Sequence, residues 1–190
     1  MDMSSPRSPL SPSLAFRLGD LARIAEAPPE TIRSRLRAGL LGERACDGWR
    51  RFSAADAARV ALHSLTKAET GDDALAAALL AEIGPRIDTA LAGLSPGDGE
   101  ALLDAMAADL FAVAVRDPAG AWEIEVAEGP YDTDAAIARR TAETFTAHRF
   151  FLVLNLGATL RQIAARIMLT PAAVAAAAPV TTSSRGARHA

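Results

Sequence analysis

Five polar side chains on one short segment could bind a phosphate backbone or the edge of a base: Thr31, Arg33, Ser34, Arg35 and Arg37. At about 100° per residue in an α-helix, Ser34 points away from the apolar pair Ile32 and Leu36, and the other four side chains flank it. Guanidinium groups pair with phosphate and with guanine, and hydroxyls donate to phosphate. The spacing therefore predicts a helix face that binds nucleic acid, with an arginine-rich solvated face as the alternative.

A hairpin is predicted directly after this segment. The dipeptide Asp47-Gly48 indicates a two-residue turn, because both central residues of a type I′ turn have positive φ. The turn would join residues 43–46 to residues 49–52 as a two-stranded wing. We expect Arg50 and Arg51 on this wing to reach a phosphate backbone.

Three helices must hold these side chains in place. The first covers the apolar positions between residues 18 and 25 and ends before Pro28, because proline has no amide hydrogen and restricts the residue before it. The second begins at Pro29, since proline is tolerated at the first helical position, and ends before Gly39. The third begins with a capping box at residues 53–56, behind an inward-packing Phe52, and continues to residue 65.

The order of these elements from Phe16 to Leu65 resembles the DNA-binding domain of the MerR family and the related excisionase-like winged helix-turn-helix proteins. Three stretches carry the resemblance: LGDLA at residues 18–22, PETIR at residues 29–33 followed by GLL at 39–41, and GWRRFS at residues 48–53. The resemblance implies that Thr31, Arg33 and Ser34 lie on a recognition helix and that Arg50 contacts the backbone from the wing.

The chain also departs from that family pattern. Arg17 stands where the family has a serine or threonine cap, Ser34 and Arg35 replace a tyrosine pair, and Leu36 replaces an acidic residue. These departures concern the sequence that is read rather than the act of binding. The predicted DNA contacts are Arg17, Thr31, Arg33, Ser34, Arg35, Arg37, Arg50 and Arg51.

Charge is distributed unevenly along the 190 residues. Residues 1–70 carry 11 basic and 8 acidic side chains, whereas residues 71–190 carry 9 basic and 15 acidic ones. This asymmetry predicts a basic DNA-reading part joined to an acidic part that avoids DNA. We divide the chain into a disordered arm at 1–14, a winged helix-turn-helix at 15–70, an acidic dimerisation or effector module at 71–170, and an alanine-rich segment with a disordered tail at 171–190.

The expected fold class is mainly α with small β elements, that is, α+β. Apolar residues at four-residue steps from Leu75 to Leu91 predict a helix that breaks or kinks at Gly84-Pro85. Further helices are expected over 100–110, 133–148 and about 160–168, and strands over 111–115, 122–126 and 151–156. Residues 160–174 also have the spacing of a second helix-turn-helix, although alanines at 172–178 offer nothing that could read a base.

No pattern indicates an enzyme, a metal site or a cofactor. Glu123 and Glu125 are expected on the solvated face of a strand, and His63 and His148 are expected to be partly buried structural residues. The single cysteine, Cys46, cannot form an intramolecular disulfide, which favours a reducing cytoplasmic setting. No apolar run has the length of a membrane span, so we expect no membrane partner.

We therefore predict a sequence-specific transcriptional regulator that binds double-stranded DNA as a homodimer, with its recognition helix in the major groove and its short wing on the backbone. RNA polymerase or another protein partner is compatible with that function. The alternative is a DNA-architectural or packaging protein of mobile-element type, such as an excisionase or a small terminase subunit. A third interpretation treats the winged helix as a protein-interaction fold.

Overall fold

The computed structural model describes residues 15–41, 51–92, 99–106, 109–117, 119–144 and 151–170. Over these ranges the chain is mainly helical with one three-stranded antiparallel sheet, so the predicted α+β class is confirmed. The predicted turn and most of the wing, the N-terminal arm and the C-terminal tail lie outside the described residues. So do Cys46, Arg50 and His148.

The three N-terminal helices are α1 (Leu18–Ile24), α2 (Pro29–Arg37) and α3 (Ala54–Thr70). Helix α2 begins at Pro29 and is followed by Gly39 with φ +88°, as predicted. The capping box of α3 is also confirmed, because the Ser53 hydroxyl accepts from the Asp56 N–H at 3.1 Å and the Asp56 carboxylate accepts from the Ser53 N–H at 3.0 Å.

Helix α4 (Asp73–Leu91) continues through Gly84-Pro85, so the predicted break is wrong, whereas a kink stays a prediction. Proline inside a helix costs about 3 kcal/mol, whereas burying one leucine or isoleucine side chain contributes about 1.5–3 kcal/mol. Five such side chains at the predicted four-residue steps, from Leu75 to Leu91, are buried. Their shared burial requires one continuous helix and outweighs the proline penalty.

The second half of the chain forms the sheet and three more helices: α5 (Gly99–Ala105), β1 (Leu110–Arg116), β2 (Trp122–Glu128), α6 (Gly129–Thr144), β3 (Phe151–Asn155) and α7 (Leu156–Leu169). The strands are antiparallel in the order β2-β1-β3. Several predicted bounds were wrong, including three in this half of the chain. Leu110 belongs to β1 because it pairs with Glu128, α6 begins four residues early at Gly129, and Leu156 opens α7 instead of ending β3.

A single hydrophobic cluster joins the two predicted parts of the chain. It includes Ile24 and Ile32 from α1 and α2, Leu62 from α3, Ile83 from α4 and Ile163 from α7. Packing therefore crosses the boundary predicted between residues 70 and 71. Within the described residues, no helix combines the length and the apolarity that crossing a membrane requires.

Candidate nucleic-acid interface

Helix α2 packs against the core with one face and leaves the other in solvent. Ile32 is fully buried, whereas Arg33, Ser34 and Arg37 are exposed and Thr31 is half-buried. The helix is thus held through its apolar face by α1 and the core. Two guanidinium groups and two hydroxyls are consequently presented side by side on a fixed backbone.

Arg35 departs from the predicted outward arc. Its side chain is half-buried and its guanidinium donates to the hydroxyl of Ser64 on α3. Arg35 lies at the border between the apolar and the polar face of α2, so a partner on the neighbouring helix decides its direction. Burial lowers the pKa of Arg35, and the nearby Asp73 carboxylate partly offsets that effect. The predicted outward direction of the Arg35 side chain is therefore wrong, whereas its contact with DNA stays a prediction.

Two of the predicted DNA contacts, Arg17 and Arg51, lie next to the two residues of a strand bridge. Phe16 and Phe52 are both buried and exchange two backbone hydrogen bonds, of 2.8 and 2.9 Å, as an isolated antiparallel pair. Side chains alternate along extended backbone, so the neighbouring residues Arg17 and Arg51 leave the bridge on its outer side. Both arginines are exposed. The sequence predicted each contact but did not predict that they are neighbours.

The turn between α1 and α2 is held by Arg166 of α7, a residue that the sequence analysis did not single out. Glu26 has a φ of +48°, the one positive value found for a non-glycine residue in the described ranges. Arg166 of α7 donates to the Ile24 carbonyl at 3.3 Å and pairs with the Glu26 carboxylate at 2.8 Å. Arg166 is 140 residues away along the chain, so no local pattern could have shown this contact.

Among the described residues, Glu30 is the acidic side chain that forms an ion pair on the exposed face of α2. Glu30, on the first turn of α2, pairs with Arg33, and both side chains are largely exposed. Arg37 and Arg51 have no carboxylate within 4.0 Å among the residues that the structure describes. Because an exposed pair at this helical spacing contributes only about 0.2–0.5 kcal/mol, Arg33 can leave Glu30 at little cost. The face therefore has the charge that suits an anionic partner.

The solvated face predicted for strand β2 is confirmed only in part, because Glu123 is exposed whereas Glu125 is half-buried. Helix α6 lies over it, and Arg140 pairs with Glu123 at 3.1 Å and with Glu125 at 3.2 Å. Arg139 also donates to Glu125, and this bond lowers the pKa of that carboxylate. These carboxylates therefore bind α6 to the sheet. In the described part of the chain, no group of three or more His, Cys, Asp or Glu side chains could hold a metal ion.

A scan against protein-family models finds no match for this chain, and a search of curated proteins finds no significant relative. The function is therefore inferred from the surface chemistry of the helices and the strand bridge.

Proposed function

We propose that this protein is a cytoplasmic, sequence-specific DNA-binding transcriptional regulator that acts as a homodimer. Helix α2 enters the major groove, where Arg33 and Arg37 contact base edges and Thr31 and Ser34 contact bases or phosphates. Arg17 and Arg51 bind the phosphate backbone beside it, together with Arg50.

The bridge between Phe16 and Phe52 is the observation that carries this proposal. It brings the exposed side chains of Arg17 and Arg51 to neighbouring positions on two antiparallel segments. Like charges placed across such a pair are destabilising, by an amount within the roughly 0.2–1 kcal/mol of cross-strand interactions. A phosphate bound between the two guanidinium groups would reverse the sign of that interaction. The arrangement of Arg17 and Arg51 is therefore more favourable with an anion bound between them than in the unbound protein.

The short first helix gives a second reason. Helices α1 and α2 are separated by four residues, and the buried Leu21 and Ile32 hold them against one core. A helix-turn-helix presents the exposed face of its second helix to a groove, and α2 carries Thr31, Ser34 and the guanidinium groups of Arg33 and Arg37 on that face. The order and placement of these groups support a DNA reader over a solvated arginine-rich surface.

The test is selection of bound fragments from random double-stranded DNA by the full chain, followed by titration of the recovered site at several salt concentrations. Arg33→Gln and Arg37→Gln should each weaken the selected site by roughly 1–3 kcal/mol and relax one base position. Arg17→Gln and Arg51→Gln should weaken every sequence alike and reduce the salt slope by about one unit each. Glu30→Gln should strengthen binding, because it removes a carboxylate from the face and frees Arg33.

Arg139→Gln is the matched control, since it removes an exposed arginine from α6 and should leave DNA affinity unchanged. A two-fold motif with half-sites about one helical turn apart would support the dimeric regulator. Direct repeats or bent DNA of little sequence preference would instead support the architectural or packaging protein. Equal affinity of all four arginine variants and the parent would overturn the assignment of this surface.

A further inference from the structure

A cleft of about 370 Å³ opens between the end of helix α2 and helices α3 and α4. The end of α2 and the residues after it form one wall, with Arg35, Gly39 and Leu40. Helix α3 contributes Arg59 and His63, and α4 contributes Asp73, Ala77, Leu80 and Ala81. Its volume falls within the roughly 300–1,000 Å³ of pockets that bind small molecules.

Two residues on the α3 wall carry buried polar atoms without a partner. Within the described residues, the buried side-chain nitrogen or oxygen atoms that lack a hydrogen-bond partner are Arg59 Nε and His63 Nδ1. The His63 side chain is 5% exposed, so bulk water does not replace the missing partner. An unsatisfied buried donor or acceptor costs about 1–3 kcal/mol. Both residues line the same cleft.

The charges around the cleft are balanced except at Arg35. Asp73 pairs with Lys67 at 2.6 Å, and Arg59 pairs with Asp88. No carboxylate of the described residues lies within 4.0 Å of the Arg35 guanidinium, whose hydrogen bond goes to a neutral hydroxyl. The nearby Asp73 carboxylate is shared with Lys67 and His63, so Arg35 has no ion pair of its own and the cleft keeps an excess of positive charge.

The α4 wall of the cleft is apolar and made of small side chains. Ala77 and Ala81 are exposed along it, Leu80 lies beside them, and Leu40 faces them from the chain that follows α2. A ligand that fits must therefore have an apolar body as well as an anionic end.

We propose that this cleft binds a small monocarboxylic acid, with its carboxylate on Arg35 and near His63 and its apolar body along Ala77, Leu80 and Ala81. The carboxylate supplies the counter-charge that Arg35 lacks, and a single negative charge balances the site. A dicarboxylate or a phosphate would place surplus negative charge beside Asp73. The site is separate from the exposed arginines of α2.

Occupancy of the cleft also acts on helix α2. Arg35 is part of that helix, and Gly39 and Leu40 follow its last turn, so a ligand here favours one position of α2 against α3 and α4. If α2 reads DNA, the acid and DNA change each other's affinity by the same factor. This coupling rests on the proposed function, whereas binding of the acid does not.

The test uses hexanoate as the probe and hexanamide, its neutral counterpart, as the control ligand, with the full chain in NMR titrations. Hexanoate should shift the ring resonances of His63, which are identified by their loss in His63→Gln, and hexanamide should not. A carboxylate beside the imidazole should also raise the pKa of His63, which burial and then Arg35 lower in the free protein, with Asp73 and Lys67 as the other charged neighbours.

Two variants locate the site. Arg35→Gln should weaken hexanoate by about tenfold or more, because a hydrogen bond to a charged group is lost. Ala77→Leu fills the cleft from an exposed position on α4 and should also abolish binding, so the proposal remains testable if Arg35→Gln folds poorly. Arg37→Gln, on the outer face of α2, should bind hexanoate like the parent.

Binding that survives both cleft variants would overturn the site, and so would equal binding of hexanoate and hexanamide or the absence of any His63 shift at tens of millimolar hexanoate. DNA affinity is measured separately with and without hexanoate. A protein that binds hexanoate but no DNA would support the cleft and refute the proposed function. A protein that binds DNA but shows no His63 shift with hexanoate would support the proposed function and refute the cleft.

Discussion

Arg35 and Arg37 are two arginines on the same helix with opposite expected roles, and replacing each by alanine separates them. Arg35 donates to the Ser64 hydroxyl from a half-buried position, whereas Arg37 is exposed. We expect Arg35→Ala to lower the free energy of unfolding and to leave DNA affinity of the folded protein largely unchanged. Arg37→Ala should weaken DNA binding and leave the free energy of unfolding nearly unchanged.

The magnitude follows from the contact that is lost. A hydrogen bond that involves a charged group contributes about 1.5–3 kcal/mol, and partial exposure of the Arg35 side chain reduces this. The Ser64 hydroxyl still donates to the Val60 carbonyl at 2.7 Å, so it keeps one partner after the substitution. We therefore expect a loss of about 1–2 kcal/mol for Arg35→Ala and a change within about 0.5 kcal/mol for Arg37→Ala.

Urea unfolding of the full chain measures both values. In thermal unfolding, the Tm of Arg35→Ala should be lower than that of the parent by about 2–4 °C for each kcal/mol of lost stability. A double-mutant cycle with Ser64→Ala isolates the pair, and its coupling energy should be at least about 0.5 kcal/mol. Equal stability of the Arg35→Ala and Arg37→Ala variants would refute the inward placement of Arg35. Zero coupling to Ser64 would refute the contact itself.

Two further predictions concern the buried imidazole and the turn before α2. Burial lowers the pKa of His63, so as the pH falls below about 6.5 the imidazole is protonated in the unfolded chain before it is protonated in the folded one. The free energy of unfolding should therefore decrease as the pH falls from 7. In urea unfolding, His63→Gln should remove the part of this pH dependence that comes from the imidazole. Arg166→Ala and Glu26→Gly both remove the ion pair between these two side chains. Arg166→Ala should destabilise the chain more, because glycine at position 26 relieves about 1–2 kcal/mol of left-handed backbone strain. Equal losses in thermal unfolding would contradict both the strain at Glu26 and the contribution of the contact between Arg166 and the Ile24 carbonyl.

Much of the local structure could be predicted from the sequence because its causes lie within one or two turns. Pro29 and Gly39 mark the ends of α2 through their own backbone preferences, and Ser53 with Asp56 starts α3 through two reciprocal hydrogen bonds. The burial of Ile32 and the exposure of Arg33 likewise follow from helical periodicity.

Other features depended on partners far along the chain. The continuous helix at Pro85 reflects the burial of a whole apolar face, which outweighs a local rule. The glycine at position 84 also reflects a distant partner, since a Cβ there would lie 3.1 Å from the Arg59 guanidinium of α3. Strand bounds near Leu110 were also decided by pairing with β2, because the end of a strand is where its neighbour stops offering hydrogen bonds.

The candidate site divides in the same way. Periodicity and composition are properties of neighbouring residues, so they were enough to predict that Arg33, Ser34 and Arg37 are exposed and that the surface of α2 is basic. Only the tertiary structure turned Arg35 toward Ser64 and placed Arg17 beside Arg51. Side chains at the border of a helix face, and segments joined by a single bridge, have no local preference strong enough to choose a direction. The packing of distant elements chooses it for them.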